Sequence, residues 1–178
     1  VGYFIDALVL RAGFAGDPPF AAFLDAARQD VLGAFEHQGL PFPLLVERLQ
    51  PERDPGRSPL FQVLCVWQRA ELADGQDLTG FALGVPAAVE LGGLRLESYS
   101  LDLGLAQFDL TLSLGEADGS LIAAFDYNTD LFDAVTVERL ADRFAVLLAG
   151  IAAGPERPLS ALPLLTAGAE KQLLEIND

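Results

Sequence analysis

His37, in the stretch EHQGLPFPLLVERL, is the single histidine of the 178-residue chain. It is the one side chain whose ordinary titration would suit it to move a proton at neutral pH. Cys65, in FQVLCVW, is the single cysteine. As a thiolate it would be a nucleophile, but it has no partner for an intrachain disulfide, and its apolar setting reads as that of a small buried hydrophobe. Asp126 and Asp130, in FDYNTDLFD, are spaced to form a carboxylate pair for acid and base work, although turn and cap roles account for them better. One histidine and one apolar cysteine do not make a dedicated zinc site, so no metal ligands are assigned. The phosphate-cradling GxxxxGK[ST] and GxGxxG strings and the nucleophile elbow GxSxG are absent from the sequence.

The elements that must carry these residues follow from periodicity. Residues 1–11, VGYFIDALVLR, form a run of apolar and aromatic residues that predicts a strand buried on both faces. Asp17 is placed to cap a helix with Pro18 at its first position. The apolar stripe Phe20, Phe23, Leu24, Ala27, Val31, Phe35 then carries that helix to about Gly39. Pro41 and Pro43 open a short helix through Leu49, which Pro51 closes. At about 100° per residue His37 lies about 120° from Val31, off the apolar face, where the helix dipole favours a histidine without any catalytic role.

RDPGRSPLFQV predicts a tight turn at Pro55 and Gly56, then a strand over 60–67. Residues 69–92, mixed in Gly, Asp and Pro, read as a long excursion with little regular structure. Strands are expected at 93–100, 106–114 and 120–128, the last two joined through GEADGS. Asp133 can cap a helix with Val137, Leu140, Phe144, Leu147, Leu148 and Ile151 on one face, ending at Gly154 and Pro155. The remainder, 155–178, reads as a proline-punctuated interdomain linker with a short helical piece after it. One strand, two helices, four strands and one helix argue for an α/β fold of the α+β sandwich kind, a mixed or antiparallel sheet with helices mainly on one face.

Composition narrows the function. Twenty-six acidic against 11 basic side chains give a formal charge of -15, which would repel a phosphate backbone, so nucleic acid is not a partner. Apolar runs stop well short of the roughly 20 residues a membrane span needs, and no basic and apolar leader opens the chain. A cytoplasmic protein without membrane attachment is expected. The chain lacks Met and opens directly on VGYFIDALVLR, which reads as a cut within a longer polypeptide.

Several separate stretches agree on one family. VGYFIDALVLR resembles the G-x-F-V-N-T-L-x-L-R motif of condensation domains in nonribosomal peptide synthetases. HQGLPFPLLVERLQPERDPGRSPLFQV resembles two more of that family's motifs, His-Gln followed by Pro-Phe, and Arg-Asp-x-x-Arg-x-Pro-Leu-Phe. AQFDLTLSL and FDYNTDLFD are similar to the strand pair and helix entry near the end of such domains, and LSALPLLTAGAEKQLLEIND to the linker toward an adenylation domain.

The resemblance implies a chloramphenicol acetyltransferase-like fold in which two α/β lobes face each other across a tunnel. Carrier proteins deliver thioester-bound substrates there on phosphopantetheine arms, and an amide forms. The family's HHxxxDG string belongs to the N-terminal lobe and does not occur here, so residues 1–154 resemble the C-terminal lobe alone. That lobe would be inactive by itself, with no catalytic residue and no directly bound cofactor. Its partners would be the N-terminal lobe, peptidyl or acyl carrier proteins and a downstream adenylation domain, with self-association of the isolated lobe through its uncovered face.

By the same resemblance the strand FQVLCVWQ ends beside the reaction centre, which makes Trp67 and Gln68 candidate tunnel-lining residues. Asp6 stands where the family usually has Asn. A carboxylate only accepts hydrogen bonds and adds charge, so Asp6 either holds an amine in the tunnel or packs as a variant against the other lobe. Arg53 and Arg57, flanking the Pro-Gly turn, are candidates for a carrier or phosphopantetheine contact, with pinning of the turn by nearby carboxylates as the plainer alternative. Two other functions stay open: a docking module in a degenerate domain, and the same fold used for epimerisation, heterocyclisation or ester formation.

Overall fold

A computed structural model describes residues 7–52, 54, 56–72, 75–99, 101, 104–117, 119–166, 168, 169 and 171. The chain divides into two compact units, Val1–Arg53 with Glu138–Asp178, and Asp54–Val137. Of the strand expected over 1–11, residues 1–6 lie outside the described residues, and 7–11 carry no strand.

In the first unit, helix α1 spans Phe20–Glu36 and α2 spans Phe42–Leu49. The expected cap on α1 is corrected. Pro19, not Asp17, occupies the N-cap position, and no side chain caps the helix. The free N–H groups of the first turn are met by the later chain instead: Phe20 N donates to the Arg157 carbonyl at 2.9 Å and Ala21 N to that of Pro155 at 2.8 Å. Asp17 takes a left-handed backbone, φ 47°, which aspartate tolerates better than most side chains. From there its carboxylate accepts from the Ser160 backbone N–H at 2.8 Å and hydroxyl at 2.6 Å. Pro19 and Pro158 form an isolated bridge, and Leu162, just past the 3₁₀ turn Leu159–Ala161, is buried. Residues 155–162 thus finish the N-terminus of α1.

The Ser160 bonds hold the Asp17 carboxyl below the usual carboxylate range. A depressed folded value means the clasp is fully present at pH above that range and is lost as pH falls through the lower, folded value. Hydrogen exchange at the Ser160 amide is therefore expected to be slow at neutral pH and to speed up on strong acidification, after allowance for intrinsic exchange. Asp17→Ala should give the fast behaviour at neutral pH as well.

The second unit holds the sheet. Strand β1 spans Val63–Gln68, β2 Ala88–Leu91, β3 Leu94–Glu97, β4 Leu110–Ala117 and β5 Ser120–Tyr127. Strands β1, β4 and β5 form one mixed sheet in that order, with β1 parallel to β4 and β5 antiparallel to it. Parallel neighbours need a long crossover, and residues 69–109 supply it. That excursion is more regular than the sequence suggested. It contains a single helical turn, α3 (Thr79–Ala82), and the β2–β3 hairpin, which forms a separate two-stranded sheet. Gly92 and Gly93, at φ 59° and 82°, form its two-residue turn, the left-handed pair that a tight hairpin requires.

The strand expected at 93–100 therefore belongs to this hairpin and not to the main sheet. Phe61 and Phe108, stacked with centroids 5.2 Å apart, stand just before β1 and β4 and align the start of the parallel pair. Helix α4, Ala134–Ala153, opens as expected at Asp133, whose Oδ1 accepts from Thr136 N at 2.7 Å. No helix among the described residues is long and apolar enough to cross a membrane.

Candidate functional site

Alternation along β1 sets what its C-terminal end presents. Val63, Cys65 and Trp67 are exposed, whereas Leu64, Val66 and Gln68 turn to the other, more covered face. Cys65 is therefore not the buried hydrophobe the sequence suggested: it shares the open face with Trp67, which is 60% exposed. Desolvation still pushes its thiol above the ordinary range, which leaves little thiolate at neutral pH.

At the end of β1 the chain borders a cleft of about 350 Å³ lined in part by Trp67 and Gln68. The two candidate tunnel residues thus meet at one cavity. Beyond them the rim is charged. Arg69 reaches Glu71 Oε1 through Nη2 at 2.9 Å and through Nε at 3.0 Å. Asp77 and Glu116 add two more carboxylates, so one guanidinium stands against three acids.

The rim is folded back on itself by short bonds. Glu71 and Asp77 form a bridge, Leu78 N donates to the Ala70 carbonyl at 2.7 Å, and Leu72 N to that of Gln76 at 2.8 Å. Thr79, only 1% exposed, closes this segment: its Oγ1 accepts from Ala70 N at 3.3 Å, while its own N–H donates to Asp77 Oδ1 at 2.7 Å. A hydrogen bond from the Thr79 side chain is the main cause holding Asp77 below the usual carboxylate range, with the backbone bond and the Arg69 charge acting in the same direction. Asp77 is accordingly an acceptor and not a proton donor at neutral pH.

A second, polar cleft of about 260 Å³ lies at the other end of the same sheet, with Arg57, Ser58, Gln62, Gln107 and Asn128 among its lining residues. Arg57 closes a turn by donating from its backbone to the Asp54 carbonyl at 3.1 Å, and its Nε is 4.0 Å from Asp54 Oδ2. Both side chains are mostly exposed, so this ion pair holds the guanidinium only weakly. Asp6 and Arg53 lie outside the described residues.

His37 belongs to the first unit, whereas both clefts are lined by residues of the second. It is the C-cap of α1, and its Nδ1 lies 2.8 Å from the Gly33 carbonyl of its own helix. A carbonyl only accepts, so Nδ1 carries the proton in that bond. Asp130, half of the conceivable carboxylate pair, sits in a turn where its N–H donates to Asn128 Oδ1 at 3.0 Å. Among the described residues no three His, Cys, Asp or Glu side chains group to hold a metal.

Comparison with known proteins decides the family. The condensation domain family matches residues 1–174. The chain belongs to the condensation domain family. A component of the linear gramicidin synthase of Brevibacillus parabrevis is 41% identical over 180 residues, covering 100% of the chain and 3% of that protein. The isonitrile lipopeptide synthase of Mycobacterium tuberculosis is 37% identical over 98% of the chain, which spans 7% of that protein. Among solved structures, a holo four-domain nonribosomal peptide synthetase bound to AMP and glycine is similar with TM-score 0.73 at 27% identity, over 85% of this chain and 12% of that one. The X-domain from teicoplanin biosynthesis follows with TM-score 0.62 at 25% identity, over 88% and 33%. The chain thus spans a small part of each relative, and its α/β fold is the chloramphenicol acetyltransferase-like fold of condensation domains.

Within this condensation-domain chain, the candidates Trp67 and Gln68 both border the cleft, whereas the residues that hold its rim were not among the candidates. Thr79, Asp77 and Arg69 fall in the stretch read as irregular, and Gly115 and Glu116 in a strand whose end was set too early. The signal present was Asp77-x-Thr79, an aspartate whose carboxylate reaches the N–H two residues on, ahead of a helical turn too short to show periodicity.

Proposed function

We propose that residues 1–154 act as the C-terminal lobe of an amide-forming condensation domain in a nonribosomal peptide synthetase, with 155–178 leading toward an adenylation domain. The observation that carries this reading is the family match over residues 1–174 combined with the cleft at the end of β1, where Trp67 and Gln68 come together. The amine of one carrier-bound aminoacyl group attacks the thioester carbonyl of a carrier-bound acyl or peptidyl group. A C–N bond forms, the C–S bond breaks, and the pantetheine thiol leaves with the amine's proton.

This lobe contributes position and not proton transfer. His37 is engaged with its own helix, and Asp77 on the cleft rim is held below the usual carboxylate range. Holding two tethered substrates in reacting geometry is itself a large part of a barrier, about 7–11 kcal/mol in well-oriented cases. The base comes from the HHxxxDG string of the other lobe. Phosphopantetheine arrives on the carrier proteins and is not resident. Arg57 and Arg53 would meet the arm's phosphate or the carrier, the polar cleft beside Arg57 offering amide and hydroxyl groups as well. Asp6 belongs to the proposed tunnel wall, and unchanged acceptor preference in Asp6→Asn would remove it. The setting is the cytoplasm, with self-association through exposed apolar residues such as Val63 and Leu94 when the lobe stands alone.

In a whole condensation domain, Trp67→Ala and Gln68→Ala are each expected to lower kcat/KM at least about tenfold, a loss of about 1.4 kcal/mol of transition-state stabilisation. Wild-type kinetics in both variants would remove these residues from the tunnel. His37→Ala should cost the end of α1 under about 1 kcal/mol and leave amide formation unchanged. A docking role is the second reading. It is favoured by the likeness to the complex of the X-domain and OxyB from teicoplanin biosynthesis, TM-score 0.61 at 25% identity over 88% of this chain.

A further inference from the structure

We infer that Thr79 is the positioning residue of the β1-end cleft, acting through Asp77, Ala70 and Gly115 on the segment that carries Trp67 and Gln68. The inference rests on the proposed substrate role of that cleft and adds what fixes its shape.

Thr79 is nearly sealed from solvent, at 1% exposure, although it lies on an excursion between strands. A buried hydroxyl must be satisfied, and this one works in both directions. It accepts the Ala70 N–H, two residues past Gln68, and it hydrogen-bonds Asp77, whose carboxylate shares the rim with Arg69 and Glu71. The outgoing chain at 69–72 and the returning chain at 76–79 are thereby joined at one side chain.

Its methyl group does the second half of the work. In β4, Gly115 stands opposite Gln68, and a Cβ placed there would lie 2.5 Å from Thr79 Cγ2 and 2.9 Å from the Gln68 carbonyl oxygen. Thr79 therefore fills the space that a glycine leaves open beside the last residue of β1. Hydroxyl and methyl together tie the rim, the strand end and β4 at one point. Thr79 does not need to touch a substrate to set the spacing between Trp67, Gln68 and the rim.

The test uses two variants in a whole condensation domain containing this chain, with the aminoacyl carrier as varied substrate and the donor carrier saturating. Thr79→Val keeps the volume and deletes both hydroxyl bonds; Thr79→Ser keeps the bonds and deletes the methyl. Because the cleft would bind ground and transition states alike, Thr79→Val is expected to raise the acceptor KM about tenfold while kcat stays within about twofold, and Thr79→Ser to restore most of the KM.

The chain's single tryptophan is Trp67, so acrylamide quenching of the folded 178-residue chain reads the strand end without any reaction. Quenching should rise in Thr79→Val and stay near wild type in Thr79→Ser. A thermal melt gives the folded fraction in each case. Loss confined to that fraction, with KM and quenching unchanged in what remains folded, would make Thr79 merely structural and overturn the inference. Unchanged quenching alone overturns it too. If the wild-type domain makes no amide, the functional proposal fails, while the quenching arm still decides whether Thr79 positions the cleft.

Discussion

Gly115→Ala is expected to destabilise the protein by about 2–3 kcal/mol, toward the upper end of what overpacking a close contact costs. The added methyl would meet Thr79 Cγ2, the Gln68 carbonyl oxygen and, at 3.0 Å, Leu83 Cδ1. None of these can move away cheaply. Gln68 is paired with Gly115 in the β1–β4 register, Thr79 is held through its hydroxyl, and Leu83 is buried at 8% exposure. Relief must come from parting β1 and β4 or from lifting α3, and either change opens the cleft beside Gln68. Urea unfolding should show a lower midpoint at unchanged slope, accompanied by a shift in Trp67 emission. An unaltered midpoint would mean that the close approach does not exist.

Two helix glycines should respond to the same substitution with opposite signs. Alanine is favoured over glycine in a helix interior by about 1 kcal/mol, so local propensity predicts a gain at both Gly33 in α1 and Gly150 in α4. At Gly33 nothing lies within 4 Å of an added Cβ, and Gly33→Ala should realise most of that gain. At Gly150 the added Cβ would run into the ring of Pro163, next to the buried Leu162. Gly150→Ala should therefore lose about 1–3 kcal/mol despite its better propensity. Thermal melts of the two variants side by side check this. A gain at both positions would mean that Pro163 does not rest on α4.

What the sequence reveals depends on where the determining contacts lie. Helices α1 and α4 were legible because their apolar residues recur at helical spacing, α2 because prolines open and close it, and Asp133 because a cap bonds within its own turn. Strands β4 and β5 were legible from alternation, with ends misplaced by a few residues. Asp17 misled because its carboxylate is claimed by Ser160, 143 residues away, and no local pattern encodes that. The β2–β3 hairpin was missed although Gly92-Gly93 signals it, since β3 was read as a strand of the main sheet. Cys65 was misplaced because an apolar run does not say which of its alternate residues face outward. The cleft followed the same rule. Its strand residues Trp67 and Gln68 came from family motifs, whereas Thr79 acquires its role only when Gly115, 36 positions later, is brought beside it.

The most direct test of the functional account is an amide-forming assay with donor and acceptor carrier proteins. It compares the 178-residue chain alone with the same chain joined to an upstream lobe that carries HHxxxDG. The account predicts no amide from the chain alone, turnover from the joined domain, and loss of that turnover when the second histidine of the upstream string is replaced. Robust amide formation by the 178 residues alone would contradict it.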